Sequence, residues 1–557
     1  MNRVLLPLLI LLVGFVTFNL FAYQLENPEE VARVSQVAML GEVNDMSHIR
    51  ICVLDEGTAG YNIIKDRLSS NIKLLGDETT NGNFHGLGMA QELLAASGAT
   101  QLPEDKQPQI LIVPAEGFTQ LKSGVETCIQ EKVDIILHSI NWEWSSNFDG
   151  DGFINQVVRE ATKNGILWIN SAGNNGGLTY HSNVKLANDD ENLVSLPDDE
   201  NTLRFSNQLD SNTVSITMSW NDFEDINYAT KKDMDFILYS IVEDPSDNQT
   251  KKFVEMELEY SEEGKSGKIR QKFGQKKQIG RHRTANDSQD VTGNALETAE
   301  MQLDKGEYAI RVIYKSKKSE IKESDQFRII LRSQKPESLK MKSAQLHTEI
   351  TPPADNPRVI AVGLKEAPFS AIGPTPNGTV KPDLVLDLGP QSLSFRYSDG
   401  TTKGPDTSDA AAIFAGVAVA FKARDKSIGI NEIHNYLDYL SRMQNLNPQT
   451  GRGPVWQTPT NTGMLTPNRE EPKDNRPNNP QSSGRRNRND LRPYDRYQPN
   501  NNSSQTPNLN NGAYPQNTNG AYPNNSNGSY PNNNGTRYYP QTPSQTQPGN
   551  PQAPIRH

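Results

Sequence analysis

IRICVLDEG, residues 49–57, is an Ile/Val/Leu-rich run that lacks the polar alternation of a half-solvated strand and stops at a carboxylate, Asp55. Runs apolar on both faces belong to parallel strands covered by helices on each side. Three more follow: QILIVPA (109–115), VDIILHSIN (133–141) and ILWINSAG (166–173). Between them, GLGMAQELLAAS (86–97) and GFINQVVREATKNG (152–165) space apolar residues three and four apart, and the second closes on Gly165 as a C-cap. Strand, helix, strand, repeated, predicts an α/β fold built on a doubly wound parallel sheet.

Near Asn201 the period changes to two. NTVSITMSW, MDFILYSIVED, KFVEMELEYS, GEYAIRVIYKS and DQFRIILRS alternate apolar and polar residues, the mark of antiparallel strands with one solvated face. The α/β pattern then resumes at NPRVIAVGL (356–364), with helices expected over 407–423 and 431–443. One α/β domain, residues 49–180 and 351–445, is therefore interrupted by an antiparallel β-sandwich domain at 181–350. Residues 446–557 form a tail, which from about 454 is rich in Asn, Pro, Gln, Ser, Gly and Tyr. It contains three Tyr-Pro repeats and too little apolar surface to offset its ordering entropy, so a disordered spacer is expected.

The first 22 residues carry Arg3 and an apolar stretch broken by Pro7, Gly14 and Asn19. That layout suits a secretory signal peptide ending near Ala22, with an uncleaved anchor as the alternative, followed by a short segment at 23–48. An extracytoplasmic location is the consequence. The formal net charge of -11 argues against a nucleic-acid partner. Cys52 and Cys128 are the only cysteines, both in apolar runs; two small core hydrophobes is the reading adopted, a single bridge the other. The basic run Lys265–Arg283 reads as a solvated hairpin.

Functional groups in an open α/β sheet collect beyond the carboxyl ends of the strands. Asp55 ends the first run there, His85 opens a helix in NFHGLGMA, and Ser408 heads the Ala-rich run GPDTSDAAAIFAGVAVAF (404–421). A hydroxyl needs a base to take its proton, and an imidazole base needs a carboxylate to fix its tautomer. Asp55, His85 and Ser408 supply those roles, in one of the chain orders known for this chemistry. Asn174, in INSAGNNGG, is either an oxyanion donor or an ordinary left-handed turn residue. A nucleotide-binding reading lacks a phosphate loop.

Together these motifs resemble the subtilisin-like serine proteases, or subtilases. ICVLDEG is similar to the family strand ending in the triad acid, HGLGMA to the segment of the base, and VDIILHSIN to the strand that pairs with substrate. That resemblance implicates Ser139, Ile140 and Asn141 in substrate binding. SAGNNG is similar to the family turn with the oxyanion Asn, FSAIGPTPNGTVKPDLV (369–385) to the run preceding the nucleophile, and TSDAAAIFAG to the nucleophile motif. The resemblance implies an exported endopeptidase acting on protein or peptide substrates through an acyl-enzyme, with Asn174 and the Ser408 backbone N–H binding the oxyanion. It implies no required cofactor; structural calcium is common in similar proteins and cannot be placed.

The departures are Asp406 for Gly, Asp409 for an apolar residue, Ala412 for Pro, and Asn141–Trp142 at the end of the substrate strand. They motivate the alternative of a weakly active or inactive subtilase fold serving as a secreted binding protein, with surface or wall contact through the tail.

Overall fold

The computed structural model describes residues 23–35, 42–80, 82–187, 192–222, 232–244, 247–260, 267–270, 295–343, 348–388, 394–398, 400–443 and 455–456. The expected signal peptide, most of the basic run at 265–283 and the Tyr-Pro repeats lie outside the described residues.

The first part of the chain runs α1 (Pro28–Ser35), β1 (Arg50–Asp55), β2 (Ile72–Leu74), α2 (His85–Ala96), β3 (Gln109–Pro114), α3 (Gly117–Gln130), β4 (Ile135–His138), α4 (Phe153–Lys163) and β5 (Leu167–Ser171). Eleven strands follow: β6 (Thr179–Asn183), β7 (Leu203–Asn207), β8 (Asn212–Trp220), β9 (Met234–Asp244), β10 (Asp247–Glu255), β11 (Glu257–Tyr260), β12 (Gly267–Arg270), β13 (Leu296–Leu303), β14 (Gly306–Tyr314), β15 (Gln326–Ser333) and β16 (Leu339–Met341). The chain then returns through β17 (Val359–Leu364), β18 (Leu384–Leu386), β19 (Phe395–Arg396), β20 (Thr402–Lys403), α5 (Thr407–Arg424), α6 (Ile430–Met443) and β21 (Val455–Trp456).

The central sheet has eight strands in the order β2-β3-β1-β4-β5-β17-β18-β21, and every pairing in it is parallel. Strand order reverses at β1, so the ends of β1 and β4 flank the crevice where ligands bind in such sheets. Alternate residues of β1 feed different cores. Ile51 and Val53 join α2 and α5, whereas Cys52 and Leu54 join α3 and α4.

Cys52 and Cys128 form a disulfide between β1 and α3, with Cα atoms 6.0 Å apart. This corrects the reading of two separate core thiols: α3 crosses directly over β1, a neighbourhood that spacing in sequence does not encode. Strand β21 corrects the tail boundary in the same way. Val455 and Trp456 extend the sheet by pairing in parallel with Val385 and Leu386.

The inserted strands form two antiparallel sheets, β13-β8-β15-β6 and β10-β9-β14-β7-β16, plus the pair β11–β12. Their inner faces, including Phe205, Trp220, Phe236 and Phe327, share one core. That core continues into Trp142, Phe153 and Leu178 beside the central sheet. The insert is therefore packed into the α/β part rather than tethered to it, and its pairing begins at Thr179.

A buried ionic network ties α6 to the sheet beside α5. The buried Lys381 donates to Val359 O and to Asp383 at 2.6 Å each, and His434 of α6 meets the same carboxylate at 3.1 Å. Burial opposes ionisation of Asp383, but Lys381 and His434 override it and hold the carboxyl well below its usual range. Helix α5 itself is buried without a break from Thr407 to Ala420, as a helix apolar on all sides must be. It crosses α2 at Gly416, where a Cβ would lie 2.6 Å from Ala96 Cβ and 2.7 Å from Leu93 O.

A Gly→Ala change inside a helix ordinarily stabilises by about 1 kcal/mol through backbone entropy. At Gly416 the sign should reverse. Gly416→Ala must push α2 from α5 and is expected to cost about 1–3 kcal/mol, as overpacked cores do, read from the urea midpoint of unfolding.

Candidate active site

Asp55 is the last residue of β1, so its carboxylate emerges at the carboxyl end of the strand, fully buried. Its Oδ1 accepts the Gly57 N–H at 2.9 Å, which leaves Oδ2 for the Nδ1–H of His85 at 2.8 Å. The His85 backbone N–H donates to Asn83 Oδ1 at 2.9 Å, fixing the start of α2. Close approach of this turn to β1 requires Gly86, where a Cβ would stand 2.5 Å from that of Asp55.

The imidazole is 24% exposed, while its carboxylate partner is sealed. Burial lowers the affinity of the ring for a second proton, but the charge and hydrogen bond of Asp55 outweigh it and raise the pKa above 6.5. Nε2 is therefore the atom left to exchange protons with the cleft.

Ser408 is the second residue of α5, nearly buried, and its hydroxyl donates to the Ser139 carbonyl at 3.2 Å. Ser139 follows β4, whose last residue, His138, is set by two bonds. Its Nδ1–H donates to Leu54 O at 2.8 Å, and its Nε2 accepts the Trp142 indole N–H at 3.4 Å. Burial takes the His138 pKa down to about 4, so this ring stays neutral and ties β4 to β1. Asn141 turns its side chain to β5, donating to Ser171 O at 3.0 Å and accepting from Ser171 Oγ at 2.6 Å. Trp142 packs edge-on against Trp144 in the core.

Asn174 follows β5 and is exposed. Its turn is clamped by the buried Glu349, which accepts from Gly177 N at 2.7 Å and Ile372 N at 2.9 Å. The side-chain oxygen of Asn174 accepts both Thr407 N (3.3 Å) and Thr407 Oγ1 (2.7 Å). Because a backbone N–H can only donate, the amide oxygen must face Thr407 and the NH2 group the other way.

One cleft of about 820 Å³ gathers these groups: His85, Ser139, Ile140, Asn141, Asn174 and Ser408 all line it. Residues 47–451 match the family model Peptidase_S8, the subtilase family. The chain belongs to the subtilases.

Similar solved structures include the CspB protease of Clostridium perfringens, at 13% identity and TM-score 0.44, the match covering 76% of this chain and 94% of that one. Sphericase, at 12% identity and TM-score 0.34, is matched over 78% of this chain and all of that one. No curated protein matches in sequence.

Where this subtilase departs from the motif, the structure gives a physical account. Asp406 is the N-cap of α5 and accepts from Ser408 N at 2.8 Å and Asp409 N at 3.4 Å; Asp409 Oδ2 in turn accepts Asp406 N at 2.6 Å. The two departures together form a capping box. Asp409 consequently points away from the cleft, fully buried.

Asp406 does not point away: it lines the cleft and pairs with Lys403 at 3.2 Å. Burial opposes its charge, but Lys403 and His85 outweigh it and keep the carboxyl below its usual range, hence ionised. The Ser408 N–H, assigned from the motif to the oxyanion, is thus already bonded to a carboxylate. A glycine at 406 has no side chain to reach it.

The insert also reaches the cleft, which sequence reading missed. Arg332, Gln334 and Glu337 line it, and Arg332 pairs with Glu143 at 3.0 Å. The available signal was the end of DQFRIILRS, where the alternation stops. Among the described residues no group of three or more His, Cys, Asp or Glu side chains is placed to hold a metal ion.

A raised imidazole pKa means that the Asp55 pair stabilises the fold fully below about pH 6.5 and loses that contribution as pH rises through the raised value. The His85 ring resonances in an NMR titration should therefore show a midpoint above 6.5. Asp55→Asn should move that midpoint downward.

Proposed function

We propose that this subtilase is an exported serine endopeptidase whose acyl-enzyme forms on Ser408. The observation that carries the reading is the sealed Asp55 carboxylate on His85 Nδ1, with the opposite face of the imidazole and the Ser408 hydroxyl lining one cleft. Ser408 Oγ attacks the scissile carbonyl carbon and gives its proton to His85 Nε2. The departing amine then takes that proton as the C–N bond breaks. Water repeats the sequence on the ester, with His85 again the base. Asp55 holds the tautomer and stabilises the imidazolium without itself taking the proton.

To give its proton to His85 the hydroxyl must leave Ser139 O. An extended peptide lying along Ser139–Asn141 would direct its carbonyl oxygen toward the Asn174 amide, whose Thr407 contacts leave the NH2 group for that purpose. Export follows from the N-terminal residues as read above. Among the described residues no helix is long and apolar enough to cross a membrane.

A second reading, a weakly active subtilase, has a specific observation behind it. The carboxylate of Asp406 holds the Ser408 N–H that would otherwise stabilise the oxyanion, and it places a negative charge where negative charge must develop. One oxyanion donor is worth about 10² to 10³ in turnover, so its loss slows the reaction without abolishing it.

Fluorophosphonate labelling tests the first reading. The folded protein should label, and Ser408→Ala should not; labelling that survives in Ser408→Ala would reject Ser408 as nucleophile. The Asp406 effect is read by Asp406→Gly, which should raise the labelling rate by about tenfold or more, while loss of the cap costs only a few tenths of a kcal/mol in stability. An unchanged or slower rate would show that Asp406 does not withhold the donor. Asn174→Ala should lower peptide turnover by about 10² to 10³, with little change in KM.

A further inference from the structure

Beneath the cleft lies a group of buried ionisable side chains that the proposed chemistry does not use. Glu92 sits on α2, about two turns after His85, and Asp409 follows Ser408 on α5; both are fully buried. Three of their four oxygens have donors. Tyr397 donates its hydroxyl to Glu92 Oε1 at 2.7 Å, Asp406 N donates to Asp409 Oδ2 at 2.6 Å, and Lys403 Nζ lies 3.4 Å from Asp409 Oδ1.

Glu92 Oε2 is the fourth, a buried oxygen with no hydrogen-bond donor. It belongs to a carboxyl within hydrogen-bond reach of Asp409. Two touching carboxylates cannot both ionise in a buried site, and a proton on Glu92 Oε2 supplies the missing bond by donating to Asp409.

We propose that Glu92 and Asp409 share one proton, and that this hydrogen bond is a positioning contact holding the helix of His85 in register with the helix of Ser408. As a statement about catalysis it rests on the protease reading above. The rest of the environment suits a pair carrying one proton. Lys403 is the cation facing it, Asp406 is a second anion on the same lysine, and Tyr397 and Tyr23 close the remaining side. The Tyr23 ring stacks on Tyr397 with centroids 4.1 Å apart and touches Phe84, next to His85, at 4.6 Å. Burial first, and then the neighbouring carboxylates, push both Glu92 and Asp409 above the usual carboxylate range.

The sign follows from proton uptake on folding. A carboxyl with a raised folded-state pKa contributes stability that is fully present below the unfolded-state value and is lost as pH rises through the raised value. Removal of the last proton leaves two anions facing each other across the α2–α5 contact, which should part the helices and displace His85 from Ser408.

The decisive variant is Glu92→Gln, whose amide N–H₂ can donate to an ionised Asp409 at every pH. In a Ser408→Ala background, where no turnover is involved, the melting temperature of the Glu92→Gln protein should gain on its parent as pH is raised from about 5 to about 10. Coincident curves would overturn the shared proton. In the protein with Ser408 intact, Glu92→Gln should move the alkaline limb of kcat/KM upward by about one pH unit or more, acting on kcat with KM held within about twofold.

If the melting curves separate while the alkaline limb stays put, the pair is structural only and the positioning role is overturned. Should Glu92→Gln fail to fold, Asp409→Asn offers the same donor from the other side and must reproduce both shifts for the proposal to stand. Absence of peptide hydrolysis and of fluorophosphonate labelling at every pH would instead reject the protease reading and the positioning role with it; the melting curves would still decide the shared proton.

Discussion

The close crossing of α2 and α5 on one face of the parallel sheet is the constraint on which the site depends. His85 is the first residue of one helix and Ser408 the second of the other. Their separation is therefore set by backbone packing, not by loops. Gly416 permits the approach, since any side chain there would meet the backbone of α2. A buried, featureless apolar helix is a poor sensor of sequence but a good ruler, because close-packed interiors transmit small displacements without absorbing them.

The two acidic departures at the head of α5 have opposite consequences for that ruler. Asp409 turns inward, closes the capping box and faces Glu92 across the helix contact. Asp406 turns toward the cleft and takes the Ser408 N–H. Lys403 serves both carboxylates at 3.2 and 3.4 Å, so the electrostatics of the cleft floor and of the buried pair beneath it are not independent. Beside Ser408, one cation thus stands between two carboxylates, with the Glu92 carboxyl next to Asp409.

The inserted strands contribute more than bulk. Their core is continuous with that of α3 and α4, and Glu143, just after Ser139–Asn141, bonds to Thr217 and Arg332 of the insert. A second recess of about 350 Å³ shares Glu56, Ile140, Asn141, Glu143 and Arg332 with the first and continues over Ser215, Thr217 and Thr298. Inserted sequence thus forms part of the cleft wall on that side.

The sequence by itself determined the parallel sheet and the additional antiparallel strands, and put forward Asp55, His85, Asn174 and Ser408 as candidates, because strand period and short motifs are local properties of the chain. It also flagged positions 406 and 409 as unusual, but not that they answer each other. Their meaning depends on which way each side chain turns from a helix end, and on Glu92, Tyr397 and Lys403, which come from separate segments. The Cys52–Cys128 bridge, the Val455–Trp456 edge strand and the reach of Arg332 into the cleft were likewise decided only by tertiary structure. Each joins residues far apart in sequence, and pairing across such distances is fixed by how layers stack, a constraint that no local window of residues contains.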